Sequence, residues 1–140
     1  MNAPLYTTEI LRLAASLSKP RELEREDGCA QVRSPTCGSR ISLSVQLDCE
    51  GRVEAISQRV NACAFGQASA ALMERHARGR SHSETADALL DLSAWLSGER
   101  DDAGTWPGLA ELQPARAKRA RHAAILLPFR ALLAAIESAR

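Results

Sequence analysis

Residues 40–48 limit the possible folds more than any other stretch. Along Arg40–Asp48 apolar and polar side chains alternate cleanly, with Ile41, Leu43, Val45 and Leu47 all on one side. A period of two is the signature of a strand that buries one face and wets the other. Glu50-Gly51 supplies a turn, and Arg52–Val60 returns as a further strand, while Ala30-Gln31-Val32-Arg33 reads as a shorter one upstream. Strands joined by short turns form an antiparallel meander with one face on the core. That face needs helices over it. The expected fold is therefore α+β: a small antiparallel three-stranded sheet packed against helices in two layers.

Helical patterns flank the strands on both sides. Thr7–Leu17 places Ile10, Leu13, Ala14 and Leu17 on one stripe, with Thr7 or Thr8 as cap and Lys19-Pro20 as terminator. Arg21–Asp27 is charged and reads as an exposed linker. After the strands, Ala64–Arg78 carries Phe65, Ala68, Ser69, Leu72 and His76 on a stripe, closed by Gly79. Ser81 and Glu84 fit a capping box that starts a second helix bearing Ala86, Leu89, Leu90, Ala94 and Trp95, closed at Ser97-Gly98. A polar loop over Arg100–Gly104 and a short turn from Trp106-Pro107 to Leu112 precede the basic stretch Ala115–His122. The last helical pattern, Ala123–Ala139, contains Pro128, which should kink it or mark a restart.

The 140 residues suit one domain, residues 1–140, with a core of its own. A net charge of +1 gives no basic field for nucleic acid or an anionic membrane, so neither is expected as a partner. No apolar run approaches the roughly 18 residues that span a bilayer. The N-terminus lacks the pattern of a secretory signal, and the expected location is the cytoplasm. There the cysteines at 29, 37, 49 and 63 should stay reduced. No nucleophile–base pair, phosphate-binding glycine loop or paired carboxylates with active-site spacing is present.

Two of those cysteines end regular elements. Cys37 sits in the Pro/Gly turn Ser34-Pro35-Thr36-Cys37-Gly38-Ser39, just before the alternating strand. Cys63 falls immediately before the helix at Ala64, where unpaired amides and the macrodipole favour an anion. Two thiolates facing one pocket would make a metal or sulfur site. Cys29 and Cys49 lie at strand edges or turns and are expected to be small, partly buried residues. His76 stands about 20 Å from Cys63 along a helix, too far to share an ion, and His76 and His82 both read as surface histidines. The run Arg116, Lys118, Arg119, Arg121 reads as a solvated helix face.

Pro35-Thr36-Cys37-Gly38, Ala62-Cys63 leading into Ala68-Ser69-Ala70-Ala71-Leu72-Met73, and the distal Leu127-Pro128-Phe129-Arg130-Ala131-Leu132 together resemble the NifU/IscU-type iron–sulfur cluster scaffold family. The helical insert between Cys63 and the last helix resembles its SufU-like branch. The resemblance implies that Cys37 and Cys63 are metal and cofactor ligands, for an iron–sulfur cluster or zinc, or sulfur carriers. It implies a cysteine desulfurase and iron–sulfur acceptor proteins as partners, and at most a sulfurtransfer activity. The ligand set is incomplete. The family's Cys-Gly-Asp is here Cys37-Gly38-Ser39, and its third cysteine aligns with Ala124. His122 could supply one nitrogen nearby, but on a helix it points about 200° away from position 124.

Structural zinc is nearly always four-coordinate, and a [2Fe–2S] cluster wants four protein ligands. Two thiolates alone should hold either weakly or not at all unless a small thiol or a second subunit completes the set, the latter making a homodimer. Two further readings stay open. One is a degenerate scaffold kept as an interaction module for the desulfurase. The other is a redox protein using a Cys37–Cys63 disulfide, which needs Cα atoms within about 7 Å.

Overall fold

The computed structural model describes residues 6–36 and 38–140, so Cys37, and with it any Cys37–Cys63 geometry, lies outside the described residues. The order of elements is helix α1 (Thr8–Ala15), strands β1 (Gly28–Arg33), β2 (Arg40–Leu47) and β3 (Val53–Asn61), then helices α2 (Ala64–His76), α3 (His82–Leu96) and α4 (His122–Ser138). Between α3 and α4 run two 3-10 segments, Leu109–Ala115 and Arg119–Arg121. The sheet is an antiparallel meander in the order β1-β2-β3, with Arg33 opposite Arg40 and Arg40 opposite Asn61. Ile41, Leu43 and Val45 are buried, as their alternation requires. Strand β1 begins at Gly28, two residues before the predicted start, because residues 28 and 29 still pair with Val45 and Ser44.

Helices cover one face of the sheet, with α4 lying over β1 and β2 and α2 reaching β3. Helix α2 is enclosed by α1 on one flank and α4 on the other. It is therefore buried over Gly66 and Ala68–Met73 rather than along a single stripe. The small side chains of Ala68, Ser69, Ala70 and Ala71 allow this close approach, and Phe65, Leu72 and Met73 fill the space between layers. Each such large side chain contributes about 1.5–3 kcal/mol relative to exposure.

The N-terminal helix is capped at Thr7, whose Oγ1 accepts the Ile10 amide at 3.2 Å. It stops at Ala15, well before Lys19-Pro20, where the Ser16 hydroxyl donates to the Leu13 carbonyl at 2.7 Å. Only Ile10 of its predicted stripe is fully buried; Leu13, Ala14 and Leu17 are half-buried. The charged segment that follows is strapped to the sheet rather than a free linker. The Arg21 amide donates to Ser57 Oγ at 2.8 Å, the Arg25 amide to Gln46 Oε1 at 3.2 Å, and the Leu47 amide to Asp27 Oδ2 at 2.7 Å.

The capping box of α3 is present in both directions, Glu84 amide to Ser81 Oγ and Ser81 amide to Glu84 Oε1, each at 3.1 Å. Its buried face is Thr85, Ala88, Leu92, Trp95 and Leu96. Of the predicted stripe Ala86, Leu89, Leu90, Ala94 and Trp95, only Trp95 is fully buried; Ala86, Leu89 and Ala94 are half-buried, and Leu90 is 68% exposed. Trp106 locks the insert onto α2: its indole N–H donates to the Leu72 carbonyl at 3.0 Å and its ring meets Phe129 edge-on at 5.1 Å. Arg116 closes over the Trp95 ring and donates to the Trp95 carbonyl at 2.9 Å.

Helix α4 continues through Pro128 with no restart. Proline has no N–H for the carbonyl four residues back and its ring crowds that carbonyl, which here belongs to Ala124. One residue on, the Ser69 hydroxyl donates to the Ile125 carbonyl at 2.6 Å, tying α2 to α4 where the helix's own bonding is weakened. Among the described residues no helix is long and apolar enough to cross a membrane.

Candidate sulfur and metal site

Three chain junctions meet at one end of the sheet. The loop from β1 to β2 folds back on itself, with the Ser34 amide donating to the Ser39 carbonyl at 2.8 Å and the Gly38 amide to the Ser34 carbonyl at 3.0 Å. Gly38 has φ +72, a left-handed conformation that suits glycine. This brings Ser39 to the cavity with only 5% of its surface exposed. The β3–α2 junction contributes Asn61, Ala62 and Cys63, the turn into α4 contributes Ala120 and Arg121, and the start of α4 itself contributes Ala124. Together with Gly38 and Ser39 they line a cavity of about 180 Å³.

Cys63 is the N-cap of α2, as its position before Ala64 predicts, and its side chain makes no capping hydrogen bond. Cys63 is half-buried, packs against the core and lines the cavity. The Gln67 amide donates to the Cys63 carbonyl and its side chain to the Ala62 carbonyl, both at 2.9 Å. Positions 39, 63 and 124, where the family resemblance implies a carboxylate and two thiolates, therefore converge, but the residues there carry a hydroxyl, one thiol and a methyl group. Among the described residues no three His, Cys, Asp or Glu side chains gather as metal ligands would.

Other predicted candidates fall elsewhere. His122 Nε2 lies 2.9 Å from the Ala115 carbonyl and 3.1 Å from that of Arg116, facing away from Ala124 as the helical angle predicts. His76 and His82 are half-buried, and neither lines the cavity. Burial first, and then Arg75 and Arg80, hold the His76 imidazole below its usual pKa. Cys29 and Cys49 are exposed, which corrects the expectation of partial burial. Cys29 lies on the outward side of β1, and Cys49 in the turn after β2.

Arg121 belongs to the basic run expected to be a solvated helix face, yet it lines the cavity. Its spacing of three from Ala124 puts both on one helical face, which is the signal that could have found it. The guanidinium has no carboxylate partner among the described residues.

A sheet of three antiparallel strands, a cysteine capping the helix that follows, and a proline-bearing last helix closing one cavity define a class. The chain belongs to the NifU-like N-terminal domain family, whose model matches residues 5–93. It is 36% identical over 103 residues to the iron–sulfur cluster assembly scaffold protein IscU of Streptococcus pyogenes serotype M1, a match covering 71% of this chain and 64% of that protein. Its structure is similar to the N-terminal NifU-like protein of Brucella abortus, with a TM-score of 0.86 at 30% identity over 96% of this chain and 94% of the other. The fold is also that of a SUF-system SufU from Fervidobacterium islandicum AW-1, with a TM-score of 0.83 at 17% identity over 94% and 96% of the two chains.

Proposed function

We propose that this protein acts in iron–sulfur cluster assembly as a sulfur-accepting scaffold, with Cys37 and Cys63 as its reactive and ligating residues. A cysteine desulfurase would be the donor, and iron–sulfur acceptor proteins the recipients. The observation that carries this reading is the convergence of Ser39, Cys63 and Ala124 on one cavity. The residues there favour sulfur over a bare divalent ion. A carboxylate and a thiolate would each help neutralise a cation, and here a hydroxyl, a methyl group and the Arg121 guanidinium stand instead.

Sulfur acceptance needs only one thiolate. The Cys63 thiolate attacks the outer sulfur of the donor's persulfide, the donor's S–S bond breaks, and its cysteine leaves as a thiolate. One S–S bond replaces another, with no net oxidation. The product on Cys63 is anionic when deprotonated, and Arg121 offers it a counter-charge. Iron or zinc brought to the site would meet Cys37 and Cys63, with its remaining positions filled from a small thiol or a second copy of the chain.

The missing donors at 39 and 124 also favour a second reading, an interaction module that binds the desulfurase and carries nothing. Anaerobic incubation with iron and sulfide, and separately with a desulfurase and cysteine, distinguishes the two by metal analysis and intact mass. The sulfur-accepting scaffold gains sulfur on Cys63 in the wild type and not in Cys63→Ser. An interaction module binds the desulfurase and gains neither sulfur nor metal.

A further inference from the structure

The outer face of the sheet carries a charge arrangement that the cysteine site does not use. Arg33 and Arg40 are directly opposite each other across β1 and β2, and Arg59 lies on β3 opposite Ser42, two pairs along and so on the same face. All three are exposed, and none has an ion pair or side-chain hydrogen bond among the described residues. With Gln31, Ser42 and Asn61 they line a concavity of about 480 Å³. Like charges directly opposed on a sheet are destabilising, so folding alone does not favour this cluster.

The carboxylates of the same face sit at its far end and are already engaged. Glu26 accepts from the Ser44 hydroxyl, Asp27 pairs with Arg25 at 2.8 Å, and Glu54 accepts from Gln46 at 3.0 Å. The face thus carries unpaired positive charge beside the cysteine cavity and compensated charge away from it, where Arg25 pairs with both Asp27 and Glu54. A nucleic acid or an anionic membrane needs an extended basic field, which this face loses beyond the three arginines and the chain's net charge of +1 does not supply. A protein edge bearing a short acidic stretch can match the basic end alone. Asn61 lines both this concavity and the Cys63 cavity, so the two surfaces are continuous.

We infer that Arg33, Arg40 and Arg59 form a docking surface for an acidic stretch on the protein that donates sulfur to Cys63, orienting the donor's persulfide toward the cavity. This inference rests on the sulfur-acceptor reading above. Charge complementarity of this kind acts mainly on encounter rate and is weakened by salt.

The test compares wild type with R33E/R40E/R59E, and with K118E/R119E as a control that reverses an exposed basic pair off the sheet. Circular dichroism checks that each folds; R33A/R40A/R59A replaces the reversal variant if it does not. Binding of a fluorescein-labelled oligoglutamate peptide should be salt-sensitive, at least tenfold weaker in the sheet variant, and near wild type in the control. Persulfide loading of Cys63 from a cysteine desulfurase should fall at least tenfold in the sheet variant, while loading from the small donor glutathione persulfide is unchanged. Equal peptide binding in wild type and the sheet variant overturns the docking surface, as does an equal loss in the control or tighter binding of a DNA duplex. If the peptide localises to the arginines but wild-type Cys63 takes sulfur from neither donor, the docking surface stands and the sulfur-acceptor reading falls.

Discussion

Gly66 and Ala124 hold α2 and α4 together beneath the cysteine cavity. A Cβ built on Gly66 would lie 3.4 Å from the Ala124 Cβ and 3.3 Å from the Ala124 carbonyl oxygen, the carbonyl that Pro128 cannot serve. It would also lie 2.7 Å from the Ala62 Cβ, closer than real methyl groups approach. The packing that seats Cys63 therefore depends on a missing side chain.

Gly66→Ala should destabilise the protein. A helix-interior glycine replaced by alanine ordinarily gains about 0.5–1 kcal/mol. Here the added methyl overpacks the junction, at a penalty of about 1–3 kcal/mol, and Ala62 must move with the Cys63 loop. The expected result in urea unfolding is a net loss with unchanged slope. A gain would mean that the junction has slack.

Restoring the family's donors should create a metal site. Ser39→Asp with Ala124→Cys adds a carboxylate and a thiolate at positions that already share the cavity with Cys63. Zinc affinity, measured by competition against a chromophoric chelator, should rise well over tenfold, a change of more than about 1.4 kcal/mol. Equal, tight binding in wild type would place the native ligands elsewhere.

Neutralising one side of the opposed arginine pair should stabilise the sheet. Arg40→Thr removes the repulsion with Arg33 and adds a β-branched residue on a central strand. The expected gain is about 0.2–1 kcal/mol, read as a higher melting temperature. A lower melting temperature would show that Arg40 has a stabilising role which the outer face does not reveal.

Stability should fall toward acid in two stages. Burial, with Arg75 and Arg80 nearby, lowers the His76 pKa from 6.5, so its neutral form is favoured in the fold. That contribution is complete above the unfolded value and fades as the pH falls below about 6.5 toward the lowered folded value. Glu84, held down from 4.5 by Arg52 and then the Ser81 amide, and Asp27, held down from 3.8 by Arg25 and then the Leu47 amide, follow the same sign at lower pH. Their contribution is present above about pH 4.5 and is lost as the carboxylates take up protons. Melting temperature against pH should therefore show a shallow upper limb, removed in His76→Gln, and a lower limb reduced in Glu84→Gln. An upper limb unaltered in His76→Gln would exclude His76 as its cause.

What could be read from the sequence was local. Arg40–Asp48 announces a half-buried strand because alternation and pleat share one period. Thr7 and the Ser81–Glu84 pair announce helix starts because a cap is satisfied within a few residues of itself. Cys63 could be placed at the head of α2 because the helical spacing starts at Ala64, although its own side chain makes no capping bond. The family resemblance added positions 39 and 124, which no spacing rule would have joined to residue 63.

Everything that depended on which neighbour covers which face came from tertiary packing. Helix α3 has apolar residues around most of its circumference, so its pattern does not choose a buried side; α4 and the Trp106 insert do, leaving Leu90 in solvent. Cys29 and Cys49 look like small core residues by type, yet one sits on the uncovered face of the sheet and the other in a turn. Arg121 looks like one more solvated charge until the turn into α4 folds it over the cavity beside Cys63. Burial and proximity are properties of surfaces brought together from distant parts of the chain, and a linear pattern encodes only one of the two surfaces.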